Sequence, residues 1–518
     1  MKAQKNIKPI VILMAVSIVV RAILAGWIEL GNDESYYWVY AKYPDWSHFD
    51  HPGMVGWMIQ LFSLNLLFDS ELFIRLSSVV LMTLNTWLVY RIGWELKDEG
   101  TGLRAALLYT ASIYAFVITG VFILPDTPLS VFWWGAFLLL VRYLKQEKAK
   151  QLLWAGLLIG LSILSKYTGA FLWIGFLAYL LCHDRKKLKN PYLYISLFIT
   201  ILCCLPIVIW NFQNDFISFR FHGDRVGLSG SLNLSSFGTE LAGEFFYNNP
   251  VNVVVAFLAV VAAFRKRLSL DARVQRLILL TALPMVGLFW FFSLTHSTLP
   301  HWTGPAYNLL LLLSAVWMGD LKKKQQARRL MATALTVLGL VLVIGVLEIK
   351  TGFIPLDRHT EAREVGKDDF SLDLYGWRQL EDKFAALRAE RIAQGEMKEE
   401  DAFIGNNWFP TASMDYYVAR PLGMKTLGYG TLERIHKYQW INELEGGFTL
   451  GANYWYLADS HFFIDPEQAY AYTNFHEINL VGIIPIERQG KVVRNIFVYE
   501  CKNLVYGPPR LGEVKGER

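Results

Sequence analysis

The chain has 518 residues, of which 53% are hydrophobic, 15% aromatic and only 18% charged, with a net charge of +5. Soluble domains carry about 25% charged residues, so the long apolar blocks predict an integral membrane protein and exclude one large soluble core. The four cysteines (Cys182, Cys203, Cys204, Cys501) have neither metal-ligand spacing nor a disulfide framework.

The N-terminal MKAQKNIK and the apolar run 9–30 have the outline of a signal peptide. The run exceeds the ~7–15 residues of a signal-peptide core, and Ala22-Ile23-Leu24-Ala25 is not a cleavage site, so it reads as an uncleaved first span. Further spans are predicted near 72–90, 105–123, 127–143, 150–165, 167–182, 191–210, 250–264, 277–294, 303–319 and 330–348, about eleven in all. Loops rich in lysine and arginine, such as Arg185–Lys189, Arg265–Arg276 and Lys322–Arg329, alternate with loops that hold almost none. That asymmetry predicts a cytoplasmic N-terminus.

Two runs need a decision. Residues 151–182 would rise about 48 Å as one helix, too long for a ~30 Å hydrocarbon core, so a turn is expected at Ser165-Lys166-Tyr167-Thr168-Gly169. The run 53–68 would invert every later loop if it crossed, so it reads as an interfacial or re-entrant helix.

The expected fold class is a polytopic α-helical membrane protein with a C-terminal mixed α/β extracytoplasmic domain. Residues 1–351 form the transmembrane domain, with outside loops at 31–71 and 210–250, and 352–518 the second domain. In the latter, LDLYGWRQLEDKFAALRAERIA has a helical pattern, and YWYLA, INLVGIIPI and RNIFVYEC read as strands. The last ten or so residues read as frayed.

The unusual polar residues gather on the outside. Asp33 and Glu34 follow the first span directly, among Tyr36, Tyr37, Trp38 and Tyr40. They read either as a solvated acidic loop or as carboxylates at the membrane interface, where one serves as a general base. Asp50-His51-Pro52-Gly53 is either a turn or a cluster facing an anionic group. Arg75 either snorkels to the interface or clamps a phosphate, and Lys166 is a comparable lone cation. Asp126, between two prolines, caps the next helix or lines a site. His296, His301 and Trp302 share an outside turn without a zinc-binding pattern. A divalent metal held by Asp33, Glu34, Asp50 and Asp126 is a further reading.

Neither GxxxxGK[ST] nor a strand-borne GxGxxG occurs, so the energy for a transfer has to arrive with the substrate. A sugar on a lipid phosphate satisfies this. Its leaving group needs no general acid, so one base and a cationic clamp suffice, whereas a glycosidase wants two carboxylates flanking the bond. No nucleic-acid partner is expected.

Several short motifs carry a resemblance. They are Asp33-Glu34 with Tyr37, Phe49-Asp50-His51-Pro52, Arg75-Leu76, Leu124-Pro125-Asp126-Thr127-Pro128, Leu164 to Gly169, Trp210 to Asp215 with Ser218-Phe219, and His301-Trp302 with Pro305-Ala306-Tyr307. In order and placement, the chain resembles the GT-C glycosyltransferases of the protein O-mannosyltransferase and lipid A aminoarabinose transferase group, glycosyltransferase family 39 and its relatives. The match covers roughly 8–320. The resemblance implies an inverting transfer from a polyprenyl-phosphate (undecaprenyl-phosphate) sugar to a hydroxyl or phosphate acceptor on a lipid, protein or glycan. The implied setting is the periplasmic side of a bacterial inner membrane. It also implies Asp33 as the essential acid supported by Glu34, donor-phosphate roles for Arg75, Lys166 and His51, and Asp50, Asp126, Tyr37 and His301 lining the site. His51 stands where aminoarabinose transferases carry a lysine, a departure that puts its clamp role in question. No resident metal is assigned. The rival readings are a transporter or lipid-carrier flippase, and a non-catalytic partner that docks an envelope complex through residues 352–518.

Overall fold

The computed structural model describes residues 6–225, 231–466 and 474–508. It separates into two compact units that are not two sequence blocks. The first comprises 1–27 and 44–342, the second 28–43 and 343–518.

The first unit is helical. Lys8–Trp27, Asp126–Gln146, Pro191–Gln213, Ala272–Ser293 and Lys324–Thr351 are long and apolar enough to cross a membrane, the last running on into the second unit. Leu234–Tyr247 and Pro250–Phe264 form a sixth candidate only if taken together, although bent by 99°. The chain is therefore a polytopic helical membrane protein. The described helices do not supply eleven long spans, because several expected runs are short or broken. The run 105–123 is one example: Glu99–Ala111 ends at Ser112 and a π-helical turn, Tyr114–Ile118, follows.

The break expected in 151–182 is present. Ala149–Ser165 stops at Lys166, whose backbone is extended, and Phe171–His183 resumes after a short 3₁₀ turn. The two halves pack on different neighbours, the first on Asp126–Gln146 and Pro191–Gln213, the second on Ala272–Ser293. Close approach in the first set depends on Gly156, where a Cβ would meet Ser196 Oγ at 2.2 Å; small residues spaced by four let membrane helices touch in this way. The run 53–68 contains only a nine-residue helix, Met54–Phe62, which rises about 14 Å and is too short to span. Left-handed backbone at Leu64, Asn65 and Leu66 follows it.

The second unit is built on a five-stranded sheet. Its strands are β1 (Ala402–Gly405), β2 (Thr426–Gly428), β3 (Tyr454–Asp459), β4 (Phe475–Arg488) and β5 (Lys491–Leu504), in the order β2-β1-β3-β5-β4. β1 runs parallel to β2 and β3, whereas β5 is antiparallel to β3 and β4. The expected strands are β3, β4 and β5, with the β4–β5 turn at Gln489-Gly490, and the expected helix is Trp377–Ala393. β1 and β2, of four and three residues, are too short to stand out as strand-like runs. Ile404, Leu427, Tyr456, Phe497 and Cys501 bury one apolar cluster of this sheet.

The segment 28–43 is tied into this second unit. Trp377 N–H donates to Glu29 Oε2 at 2.7 Å, and Leu30 N–H to Tyr417 Oη at 2.6 Å. Lys42 pairs with Asp415 at 3.3 Å and Tyr43 Oη donates to Glu445 at 2.7 Å.

Candidate active site

The stretch 31–52 divides between the units at 43/44. Its first half is a helix, Asn32–Lys42. Asp33 and Glu34 lie in the first turn and Lys42 in the last, the charge order that suits a helix dipole. Glu34 is buried, and its Oε2 accepts from Gly31 N–H at 2.9 Å, so this carboxylate holds the start of its own helix. Asp33 is only partly buried beside it. Tyr37 is buried and meets Tyr40 edge to face at 5.5 Å.

The second half belongs to the first unit and forms a tight loop. Asp45 anchors it: its Oδ2 accepts from Trp210 Nε1 at 2.9 Å and its carbonyl from Trp57 Nε1 at 3.2 Å. An isolated bridge joins Ser47 to Pro52, and His48 N–H donates to the His51 carbonyl at 3.0 Å. The loop presents Asp50 and His51. The Nε2 of His222, from the short helix Ile217–Arg225, lies 2.9 Å from the Asp50 carbonyl. The His222 ring also meets Tyr167 edge to face at 5.1 Å. Sequence reasoning missed His222; the only signal was a histidine among the aromatic residues of FRFHGDR.

Lys166 and Asp126 meet across two helix ends. Lys166 Nζ lies 2.7 Å from Asp126 Oδ2, and Tyr114 Oη donates to the other oxygen at 2.9 Å. Asp126 thus binds side chains and does not cap its own helix, which has no side-chain cap. The π-helical turn carries Tyr114 to this position, a distortion often found at functional sites. Gly304 makes room for its ring, since a Cβ there would sit 2.4 Å from Tyr114 Cε2.

His51 and His301 both feel the charges of Lys166 and Asp126. Burial pushes the His51 imidazole down to about 3, Asp50 and Asp126 opposing and Lys166 and His222 assisting. Burial, assisted by Lys166, pushes His301 down to about 4. Both rings are neutral at pH 7, so the one fixed cation in this group is Lys166. The His301 ring lies 6.4 Å from that of Tyr247. Thr298 Oγ1 donates to Glu240 at 2.7 Å, and Glu244 accepts from Trp290 Nε1 at 2.7 Å and Tyr307 Oη at 2.9 Å. These contacts flank the turn Pro300–Thr303 that carries the histidine.

Arg75 is completely buried. Its Nη1 donates to the Ala25 carbonyl at 2.9 Å, and its guanidinium lies 5.4 Å from the Phe122 ring centre. Arg75, Asp50, His51, Asp126, Lys166 and His301 all lie in the first unit, whereas Asp33, Glu34 and Tyr37 lie in the second. Among the described residues, the group of three metal-ligating side chains within reach of one ion is Asp357, His359 and Asp368, in the second unit.

Residues 50–210 match the family model described as dolichyl-phosphate-mannose-protein mannosyltransferase. The fold matches the crystal structure of ArnT from Cupriavidus metallidurans bound to undecaprenyl phosphate, with a TM-score of 0.62 and 15% identity over 96% of this chain and 98% of that one. The apo form of the same protein matches with a TM-score of 0.63 and 14% identity over 94% and 97%. The chain has the fold of these ArnT structures. No curated protein matches its sequence. The resemblance drawn from the motifs, to the mannosyltransferase and aminoarabinose transferase group, therefore holds at the level of family model and fold. The matched stretch contains Asp50, His51, Arg75, Asp126 and Lys166, and ends at Trp210, which anchors the Asp50 loop.

Proposed function

We propose that this protein is an inverting GT-C glycosyltransferase that moves a sugar from a polyprenyl-phosphate donor to a hydroxyl acceptor. The acceptor oxygen loses its proton to the Asp33 carboxylate and bonds to the anomeric carbon as the bond from that carbon to the phosphate oxygen breaks. The lipid phosphate leaves with the electron pair, its charge met by Lys166 and Arg75. The family model named for dolichyl-phosphate-mannose and the ArnT structure with undecaprenyl phosphate support a lipid-phosphate donor. We place the reaction on the periplasmic face of a bacterial inner membrane.

One observation carries the reading. Lys166 is a buried ammonium whose hydrogen-bonding partner among the described residues is Asp126. A lysine has three N–H donors, so two remain for an anion, and a phosphate oxygen satisfies them. His51 enters as a neutral hydrogen-bonding group and not as a cation. Glu34 supports Asp33 through the helix start it holds.

The test incubates membranes containing the protein with radiolabelled undecaprenyl-phosphate sugars. Wild type transfers label, whereas Asp33→Asn and Arg75→Ala do not. Equal transfer by all three would sink the assignment, and carrier movement in liposomes without transfer would favour a flippase.

A further inference from the structure

A recess of about 290 Å³ opens at the end of Pro250–Phe264, lined by none of the residues assigned above. Two arginines line it, Arg265 at the helix end and Arg267, with Lys266 between them in left-handed backbone. Both are exposed, and among the described residues neither guanidinium has an ion-pair or hydrogen-bonding partner. Asp320 also lines the recess, but its carboxylate is already occupied by Lys97 Nζ at 2.5 Å and Ser269 N–H at 2.9 Å. The nearby Arg273 is likewise paired, with Asp271 at 2.8 Å. The unspent charge of the turn therefore sits in the recess.

The rest of the lining is apolar. Leu258 and Ala262 form one wall, and Trp317 of Gly304–Asp320 another. Val254, Leu258, Val261 and Arg265 fall at helical spacing on one face, and Val254 and Leu258 are 48% and 40% exposed. An apolar stripe, exposed at Val254 and Leu258, thus runs directly into two guanidinium groups that have no partner among the described residues. A free anion needs only the guanidinium groups. A molecule with both an anionic head and an acyl chain matches the stripe as well.

We propose that this recess binds an anionic phospholipid, the phosphodiester held by Arg265 and Arg267 and an acyl chain lying along Val254, Leu258 and Val261. Planar guanidinium forks suit phosphate oxygens, an indole suits the headgroup level, and basic pockets between membrane helices are recognised sites for anionic headgroups. The site is independent of the transfer reaction proposed above.

The test uses the purified full chain and measures binding of short-chain phosphatidylglycerol, short-chain phosphatidylcholine, glycerol phosphate and inorganic phosphate. Phosphatidylglycerol binds most tightly, and Arg265→Gln/Arg267→Gln weakens it at least about tenfold. A control that removes two other exposed charges, Arg276→Gln/Arg328→Gln, leaves binding intact. Thermal melting of both variants verifies that they fold. Equal binding of phosphatidylcholine, an unchanged Arg265/Arg267 variant, or an equal loss in the control overturns the site. Glycerol phosphate or inorganic phosphate binding as tightly as the lipid also overturns it, in favour of a free-anion site.

Discussion

Lys166 Nζ and Asp126 Oδ2 lie 2.7 Å apart, and both side chains are buried. Removing one partner of a buried pair leaves an uncompensated charge and costs about 3–5 kcal/mol, whereas replacing both costs far less. Lys166→Met and Asp126→Asn are each expected to lower the melting temperature more than Lys166→Met/Asp126→Asn. A double-mutant cycle on thermal unfolding measures the coupling, and additive losses would dismiss it. Lys166→Met also loses donor binding, even where melting is restored by the second substitution.

Asp33 and Glu34 are neighbours with different tasks, and the difference is measurable. Asp33→Asn is expected to leave melting unchanged and to reduce transfer by about 10²–10⁴, the usual contribution of a general base. Glu34→Ala removes the acceptor for Gly31 N–H, which costs about 0.5–2 kcal/mol of stability. Glu34→Gln keeps an acceptor oxygen and recovers most of both stability and activity. Full activity in Asp33→Asn would move the base elsewhere.

Acidification is expected to destabilise the first unit. His51 and His301 have folded pKa values of about 3 and about 4, below the ordinary histidine value. The unfolded chain therefore binds more protons between those values and about 6.5, and stability rises with pH through that window. It is fully present above about pH 6.5 and is lost progressively as pH falls towards 4 and then 3. Melting followed from pH 7.5 to 4.5 should show a slope that His51→Asn and His301→Asn each reduce. An unchanged slope in both would contradict the neutral assignment.

Arg75 is tied to the Ala25 carbonyl at 2.9 Å and lies over Phe122. Lysine cannot reproduce a planar fork that bonds and stacks at once. Arg75→Lys is expected to raise the KM for the lipid-linked donor about tenfold or more, since a charge-assisted contact is worth about 1.5–3 kcal/mol. An unchanged donor KM would assign Arg75 to packing alone.

In the proposed reaction Arg75 and Lys166 meet the phosphate charge, so transfer is expected to survive exhaustive chelation. Rates measured with EDTA, then with added Mg²⁺ or Mn²⁺, check this. Loss by chelation and recovery by either ion would give the reaction a metal that the proposal omits.

The amino-acid sequence by itself determined the class of the molecule. Apolar runs reported the membrane helices, the polar break at Lys166 interrupted a run too long for a bilayer, and short runs of aromatic and β-branched residues marked β3, β4 and β5. These are local patterns, set by what a few consecutive residues expose or bury. The motif order also led to the fold, because Asp50, Arg75, Asp126 and Lys166 stand in sequence blocks short enough to read.

Tertiary structure decided the pairings. Asp126 between two prolines reads as a helix cap, but it binds Lys166, forty residues away, and Tyr114, which a π-helical turn delivers. His222 has no motif and becomes visible only where it meets the Asp50 carbonyl. The charge of His51 depends on burial, which no spacing reveals. The opening stretch shows the same limit: 31–52 reads as one loop, yet its first half is a helix tied into the unit of the C-terminal sheet and its second half a loop of the helical unit. Such contacts join residues far apart in the chain, and a sequence pattern carries only the neighbours along it.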